Sequence, residues 1–261
     1  MKDIQLIHGD AFEELPKLAT GSVDCILTDP PYGTTKNAWD KAPDWERLFA
    51  ELWRVLKEDG ALLIFAQNPL AAELICMQRR YFRYEWVWEK TIAQGWLNAN
   101  HAPMRAHELI LCFYRRRPRW NRAPIPSQRG DVYTRTTPSA TPAKRDANYG
   151  KPTVPPQSSA DGSRAPRDVI LCGRERSYGE QIHPTQKPVE LCRALLSQYV
   201  RPGDLVLDPF AGSASVLLAS HELSCRAIGF ELCATAHERA ESRLSECTAQ
   251  LTLLPLDFSA Y

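Results

Sequence analysis

The sequence predicts an α/β fold: one doubly wound, mostly parallel sheet that carries a basic, irregular insertion. Three observations predict it. Short apolar, β-branched segments alternate with segments whose apolar residues recur at helical spacing, the pattern of a parallel sheet covered by helices on both faces. The stretch from Arg115 to Asp168 breaks that alternation and holds nine of the chain's 20 prolines. The length, 261 residues, suits one large domain with an insertion. The predicted organisation is a first half of the domain over residues 1–114, the insertion over 115–168, and a second half of the same domain over 169–261.

The elements follow in order. Ile4-Gln5-Leu6-Ile7 is a short strand ending at His8-Gly9-Asp10. Val23-Asp24-Cys25-Ile26-Leu27 is a second, running into Thr28-Asp29-Pro30-Pro31-Tyr32-Gly33. The prolines stop it there, because they carry no N–H to continue a ladder. From about Asp44, the residues Trp45, Leu48, Phe49, Leu52, Trp53 and Leu56 make one apolar helical face, which Asp59-Gly60 ends. Ala61-Leu62-Leu63-Ile64-Phe65 is a buried strand. Pro69 to Arg80 is a helix with proline in its first turn. Tyr84 to Trp88 and Leu109 to Tyr114 are two more strands. Order resumes near Val169. Val189, Cys192, Leu195, Leu196 and Tyr199 mark a helix, and Leu205-Val206-Leu207-Asp208 is a strand. A helix begins at about Ser215, Ala227-Ile228-Gly229-Phe230-Glu231 is the next strand, and Ala234 to Glu246 is the last clear helix.

Composition excludes several classes. No apolar run approaches the roughly 20 residues of a membrane span, and Met1-Lys2-Asp3-Ile4 lacks the features of a signal peptide, so the expected location is cytoplasmic. The eight cysteines show no zinc-knuckle spacing and are read as reduced, mostly buried thiols. The insertion contains twelve basic and four acidic residues, a local balance of +8 in a chain whose net charge is +1. A basic segment on an acidic body points to a polyanion held at one place.

Two places carry chemistry. Asp208 ends a strand, the turn Pro209-Phe210-Ala211-Gly212-Ser213-Ala214 follows, and Glu231 ends the next strand. This is the layout of a nucleotide-type site at the carboxyl edge of a parallel sheet, where a short turn lets backbone N–H groups approach the ligand. Glu231 falls close to the spacing at which an acid grips ribose hydroxyls. The pattern is not G-x-G-x-x-G, and alone it leaves open a plain βα turn or an NAD site.

Asp29-Pro30-Pro31-Tyr32 is the second place. An exocyclic base amine is a poor nucleophile, because its lone pair is delocalised into the ring. An ionised Asp29 and the Pro30 carbonyl can accept its two N–H bonds, each worth about 1.5–3 kcal/mol when charge-assisted. Pro30 and Pro31 stiffen the loop. The Tyr32 ring offers a stacking surface worth about 1–3 kcal/mol, against the few kcal/mol spent on extruding a base. Nothing in this chemistry calls for a metal. Taken alone, the tetrapeptide is equally a strand-ending turn with a capping aspartate.

The motifs in their order settle the choice. Thr28-Asp29-Pro30-Pro31-Tyr32-Gly33, then the basic insertion, then His183-Pro184-Thr185-Gln186-Lys187-Pro188, then Asp208-Pro209-Phe210-Ala211-Gly212-Ser213 resemble the β group of DNA amino-methyltransferases over nearly the whole chain. The resemblance implies a Rossmann-like methyltransferase fold, S-adenosylmethionine as cofactor and double-stranded DNA as partner. It implies that Asp29, Pro30, Pro31 and Tyr32 are catalytic. It assigns Asp10 and Ala11 to the cofactor's adenine, Thr185 and Lys187 to its methionine end, Phe210 to packing against it and Glu231 to the ribose, with Asp208, Pro209, Gly212 and Ser213 completing the site. Ala214 departs from the family's usual glycine, and its methyl is expected to crowd the cofactor. His183 is read as structural.

An aspartate at the head of the tetrapeptide resembles the adenine-N6 enzymes, whereas cytosine-N4 enzymes more often begin with serine. The expected reaction is methylation of adenine N6 after base flipping, with cytosine N4 as the alternative. A silent nucleic-acid-binding protein and an RNA or protein methyltransferase are the readings of other classes. Arg115, Arg116, Arg117, Arg119 and Arg122 are expected on DNA phosphates. Trp120, Tyr133 and Tyr149 are candidates for stacking where a base leaves. Asn98, His101, Arg105 and His107 are candidates for lining a DNA cleft or for satisfying turns. A homodimer is compatible with the sequence, but no feature demands one.

Overall fold

The computed structural model describes residues 3–33, 41–125, 166–173 and 186–253. The first part contains β1 (Ile4–His8), α1 (Ala11–Glu14), β2 (Val23–Thr28), α2 (Trp45–Val55), β3 (Leu56–Ala66), α3 (Leu70–Met77), β4 (Phe82–Gln94) and β5 (Arg105–Phe113). The second contains β6 (Val169–Cys172), α4 (Val189–Leu196), β7 (Leu205–Asp208), α5 (Ser215–Glu222), β8 (Arg226–Glu231) and α6 (Ala234–Leu253). The α/β expectation holds, and every predicted strand is present.

The strands form one sheet in the order β1-β8-β7-β2-β3-β5-β4-β6. Every neighbouring pair is parallel except those of β5, which runs antiparallel to β3 and to β4. The loop 95–104 between β4 and β5 is too short for a crossover helix, so these two strands can only pair as a hairpin. The chain moves from β2 outwards to β3, and from β7 the other way to β8. The order therefore reverses between β2 and β7, which pair through Cys25 with Val206 and Ile26 with Leu207. In such sheets a ligand crevice opens outside the carboxyl ends of the two strands at this reversal.

Alternating residues of the central strands feed two cores. Leu62 and Ile64 join Leu48, Phe49, Leu52, Leu70 and Leu74 from α2 and α3 on one face. Leu63 and Phe65 join Leu191, Leu195, Leu217 and Ala240 from α4, α5 and α6 on the other. Asp44 caps α2 by accepting from the Arg47 N–H at 3.1 Å. Asp59-Gly60 does follow the helix, but the chain from Leu56 is already in β3, and the irregular pairing between Val23/Leu56 and Cys25/Ala61 absorbs the extra residues. All eight cysteines are free, and six are buried, as the composition suggested.

The start of the insertion needs a correction. Residues 115–125, read as the start of an irregular insertion, are fastened to the body of the domain. The Asn121 side chain donates to the carbonyls of Ser197 (2.8 Å) and Val200 (2.7 Å), and Gln198 donates to the Ala123 carbonyl at 2.9 Å. Trp120 and Ile125 pack against the core. Residues 126–165 lie outside the described residues.

Close packing of α5 on β8 sets the turn that leads into the crevice. A methyl group at Gly229 would stand 2.8 Å from Leu217 Cδ1 and 2.9 Å from the Ala211 methyl. Gly229→Ala is expected to cost about 1–3 kcal/mol through overpacking, read as a lower urea midpoint at unchanged slope.

Candidate active site

The crevice is built from strand ends. β2 delivers Thr28 and then Asp29, and β7 delivers Asp208. The Thr28 hydroxyl donates to Asp208 Oδ1 at 2.8 Å in a fully buried position. The same oxygen accepts from the Phe210 N–H at 3.2 Å. One hydrogen-bonded pair thus joins the two halves of the chain at the point where the strand order reverses. Burial lifts Asp208 to about 7, although Thr28 and Phe210 donate to it; the charges of Asp29 and Glu231 push the same way.

Asp29 is held from both sides. The Tyr32 hydroxyl donates to its Oδ1 at 2.8 Å, and the Lys187 ammonium donates to its Oδ2. The side chain keeps 24% of its surface accessible. Burial raises Asp29 above the ordinary aspartate value, with Glu108 adding to the effect, while Lys187 and Tyr32 oppose it.

Lys187 opens onto a second carboxylate. Its Nζ lies 3.5 Å from Glu108 Oε2 and 5.0 Å from the centre of the Phe65 ring. Glu108, on β5, accepts at Oε1 from Lys90 of β4 and from Gln67 Nε2 at 3.1 Å. Lys90 also donates to Gln94 at 2.8 Å, and Arg105 donates to Gln67 Oε1 at 2.8 Å. The result is a row of alternating charge, Asp29, Lys187, Glu108 and Lys90, in which the last three keep at most a tenth of their side-chain surface. Burial pushes Glu108 up, but the two ammonium groups outweigh it and hold the carboxyl below the ordinary glutamate value. Burial likewise works against charge on Lys187, and Asp29 and Glu108 overcome it, so the ammonium is kept above its ordinary value.

The cofactor candidates from the second half gather on the same edge as Asp10 and Ala11. Asp10 follows β1 and caps α1 by accepting from the Phe12 N–H at 2.8 Å, and Ala11 is buried behind it. Gly9 N–H donates to the Glu231 carbonyl at 3.0 Å, which ties β1's end to β8's. Glu231 Oε2 accepts from the Gly212 N–H at 2.9 Å and Oε1 from the Cys233 N–H at 2.8 Å, so the acid is braced by the turn it faces. Gly212 has φ +50°, and a Cβ on it would meet nothing within 4 Å. Pro209 is buried and Phe210 half-buried. The Ser213 carbonyl is fixed by buried Arg243 at 2.7 Å. Ala214 sits in the left-handed region at φ +60°, and its methyl is wholly buried in the core. The methyl therefore faces inward, and the expectation that it crowds the cofactor is corrected. Thr185, His183, Tyr133 and Tyr149 lie outside the described residues.

The arginines expected on DNA stand elsewhere. β5 is antiparallel, so the chain leaves it at the amino edge of the parallel strands, opposite the crevice. There Arg115 pairs with Glu58 at 3.2 Å, Arg116 with Asp59 at 3.6 Å and Arg119 with Asp204 at 2.9 Å. Arg122 adopts φ 55° in the same stretch, and Arg117 lines a hollow with Trp86, Pro118 and Trp120. Trp120 is no free stacking platform either; it packs against Trp86 and Tyr199 at ring separations of 5.9 and 5.7 Å. Glu108, Lys90 and Gln67, which do reach the site, carry no family motif in the sequence reading.

Comparison with known proteins gives the same family. The model of a family described as DNA methylase matches residues 23–242. This chain belongs to the DNA methylase family. It is 31% identical over 241 residues to the DNA adenine methyltransferase YhdJ of Escherichia coli, covering 87% of this chain and 78% of the relative. It is 26% identical to the type II methyltransferase M.HinfI of Haemophilus influenzae, over 92% and 68%. Its fold matches the M1.HpyAVI–SAM complex with TM-score 0.62 at 22% identity, over 92% of this chain and 98% of that one. It also matches the cytosine-N4-specific PvuII DNA methyltransferase with TM-score 0.63 at 17% identity, over 99% and 96%.

The methyltransferase is thus an S-adenosylmethionine-dependent DNA amino-methyltransferase of the N6/N4 type. Its residues fit that cofactor: Gly212 leaves the backbone of its turn open to close approach, and acids stand at the tips of β1 and β8. Among the described residues no cluster of His, Cys, Asp and Glu could hold a metal, and no helix is long and apolar enough to cross a membrane.

Asp208 gives a stability prediction. Between an unfolded value of about 3.9 and about 7, the folded protein keeps a proton that the unfolded chain has lost. Stability contributed here falls as pH rises through that window and levels off above it, by on the order of a few kcal/mol. Asp208→Asn retains an oxygen for Thr28 and Phe210 but cannot titrate. Its melting temperature should decline less between pH 5 and 8 than that of the wild type.

Proposed function

We propose that this methyltransferase transfers the methyl group to N6 of adenine in duplex DNA, with the target base flipped into the crevice between β2 and β7. The observation that carries the reading is Asp29, held by Lys187 and Tyr32 at the reversal of strand order with part of its surface still accessible. In this reading Asp29 and the Pro30 carbonyl accept the two amine N–H bonds, which turns the nitrogen lone pair away from the ring. Tyr32 gives up its bond to Asp29 and stacks on the base. S-adenosylmethionine supplies a methyl group on a sulfonium. When the nitrogen gains that methyl it sheds one proton, and Asp29, whose affinity for protons burial has raised, is the adjacent acceptor.

Adenine is favoured over cytosine by the aspartate that opens the tetrapeptide and by the 31% identity to a relative named as an adenine methyltransferase. DNA contact near the chemistry is assigned to the loop 95–104, which springs from the β4–β5 hairpin on the crevice side. It presents Trp96 and Leu97, 73% and 80% exposed, beside exposed Asn98, His101 and Arg105. Phosphate contact is assigned to the basic residues of the insertion beyond Ile125 rather than to the ion-paired Arg115, Arg116 and Arg119. His107 shares the exposed face of β5 with Arg105.

Asp29→Ala is expected to lower the methylation rate by roughly 10²–10⁴-fold while S-adenosylmethionine still binds by calorimetry. An active Asp29→Ala enzyme would remove the mechanism. Mass spectrometry of nucleosides from treated duplex DNA should show N6-methyladenine; N4-methylcytosine would replace adenine by cytosine in this reading.

A further inference from the structure

Asp29 faces a conflict in the arrangement described. To activate an amine it must accept the amine's N–H, yet each of its oxygens already accepts one bond, from Tyr32 and from Lys187, so an arriving amine would share an oxygen with one of them and hold it less strongly. Tyr32 sits on the same loop and can turn away. Lys187 is a buried ammonium and cannot be left without a partner, because an unpaired buried charge is strongly destabilising.

Glu108 resolves the conflict. Its Oε1 is fully engaged by Lys90 and Gln67. Its Oε2 is buried and has no hydrogen-bond partner among the described residues. That oxygen stands 3.5 Å from Lys187 Nζ, just beyond hydrogen-bond length. A buried carboxylate oxygen without a hydrogen bond is costly, and here the nearest available donor is the lysine that must move. We infer that Glu108 is a positioning residue: it receives Lys187 on Oε2 when the target base claims Asp29, and Lys90 and Gln67 fix its carboxylate in place for that exchange. The ammonium moves between two carboxylates by a fraction of an ångström to about one ångström, stays charged throughout, and keeps Asp29 ionised. Gln67 is in turn held by Arg105, so the second acceptor is anchored to both strands of the hairpin whose loop is assigned to DNA.

This inference rests on Asp29 as the amine acceptor. The charged and titratable groups facing Asp29 are Lys187, Tyr32, Glu108 and, from β7, Asp208. Those facing Glu108 are Lys90 and Lys187. Replacing Glu108 by glutamine preserves shape and removes the charge. Lys187 then has Asp29 as its only carboxylate among these, and the neighbouring negative charge that raises Asp29 is lost.

The test is the single-turnover methylation rate on an adenine-containing duplex across pH 5–9, with folding checked by thermal melting. Glu108→Gln is expected to slow the step roughly 10- to 100-fold and to move the acid limb of the profile to lower pH. Glu108→Gln leaves the Thr28 and Phe210 partners of Asp208 in place, so the comparison isolates the loss of the Glu108 charge. Glu108→Asp keeps the charge and withdraws the carboxylate by one methylene; it should slow the step severalfold while leaving the acid limb in place. Wild-type rates in either folded variant would overturn the inference, as would a slowed Glu108→Gln whose acid limb has not moved. Where Glu108→Gln does not fold, Glu108→Asp decides alone. Inactivity of the wild type, or activity of Asp29→Ala, would instead strike the function proposed above and leave a distinct signature.

Discussion

The crevice edge is organised around one carboxylate, Asp29, placed where burial works against its charge. Lys187 and Tyr32 oppose that effect, and in the proposed reaction they would have to share the Asp29 oxygens with the target amine. Around it runs a row of alternating charges, Asp29, Lys187, Glu108 and Lys90, in which Asp29 and Glu108 favour charge on Lys187, and Lys187 and Lys90 favour charge on Glu108. In a partly dry environment such a row is cooperative: deleting one member leaves the next uncompensated, which costs more than the deleted contact alone. The row is also why the pairing of β4 with β5 matters to a residue at the end of β2. Without the hairpin there is no Glu108 beside Lys187, and the lysine has only Asp29.

Topology brings these residues together from distant parts of the chain. Lys187 and Asp29 are separated by 158 positions, and Thr28 and Asp208 by 180. A doubly wound sheet achieves this because the strands at its reversal come from opposite ends of the sequence. The Thr28–Asp208 bond fixes the two strand ends against each other, and the braced pair Gly212 and Glu231 does the same one strand further along. The cofactor side is therefore held mainly by backbone N–H groups meeting carboxylates, while the base side is held by side-chain charges. The first suits a ligand approached closely by main chain; the second suits a group whose partners have to change during the reaction.

The fold was legible in the sequence because its signals are local. Strand alternation, the Asp44 cap and the prolines after Thr28 each act within a few residues, and they gave the elements nearly to their ends. The antiparallel placement of β5 was less visible, since it depends on the shortness of the loop 95–104 rather than on any strand residue. The Asp29–Tyr32 loop and the Asp208–Ser213 turn were legible as motifs of the family to which the chain belongs. Lys187 was assigned to the cofactor's border, whereas the structure ties it to Asp29. Glu108 and Lys90 went unread, yet a signal was there. Trp86, Trp88 and Lys90 share one parity along β4, and Glu108, Ile110 and Cys112 share one along β5. Since Trp86, Trp88, Ile110 and Cys112 are core residues, parity alone places a lysine and a glutamate of opposite sign on the buried faces of adjacent strands. Two buried charges on neighbouring strands imply a pair, and a pair at the carboxyl ends implies a site.

The arginines between Arg115 and Arg122 are instructive for a different reason. Composition registers that positive charge is concentrated, but not which edge of the sheet it occupies. β5 runs down the sheet, so Phe113 delivers the chain to the amino edge. β6 pairs in parallel with β4 from Val87 onwards, and just before it Pro166 and Asp168 line one hollow with Tyr114, Arg117 and Pro118. Both ends of the basic segment are therefore rooted on the side away from Asp29, and its first residues are spent on Glu58, Asp59 and Asp204. Forty residues extended at about 3.3 Å each can span the height of a sheet many times over, so length does not keep the rest of the segment from the DNA. Rooting does decide which contacts are near the crevice: in the proposed reading a duplex would meet the loop 95–104, which joins the two strands that carry Lys90 and Glu108. Base extrusion needs rigid neighbours at the base, whereas phosphate neutralisation tolerates long and adaptable ones. The split between the two edges assigns each kind of contact to the part of the chain that can supply it.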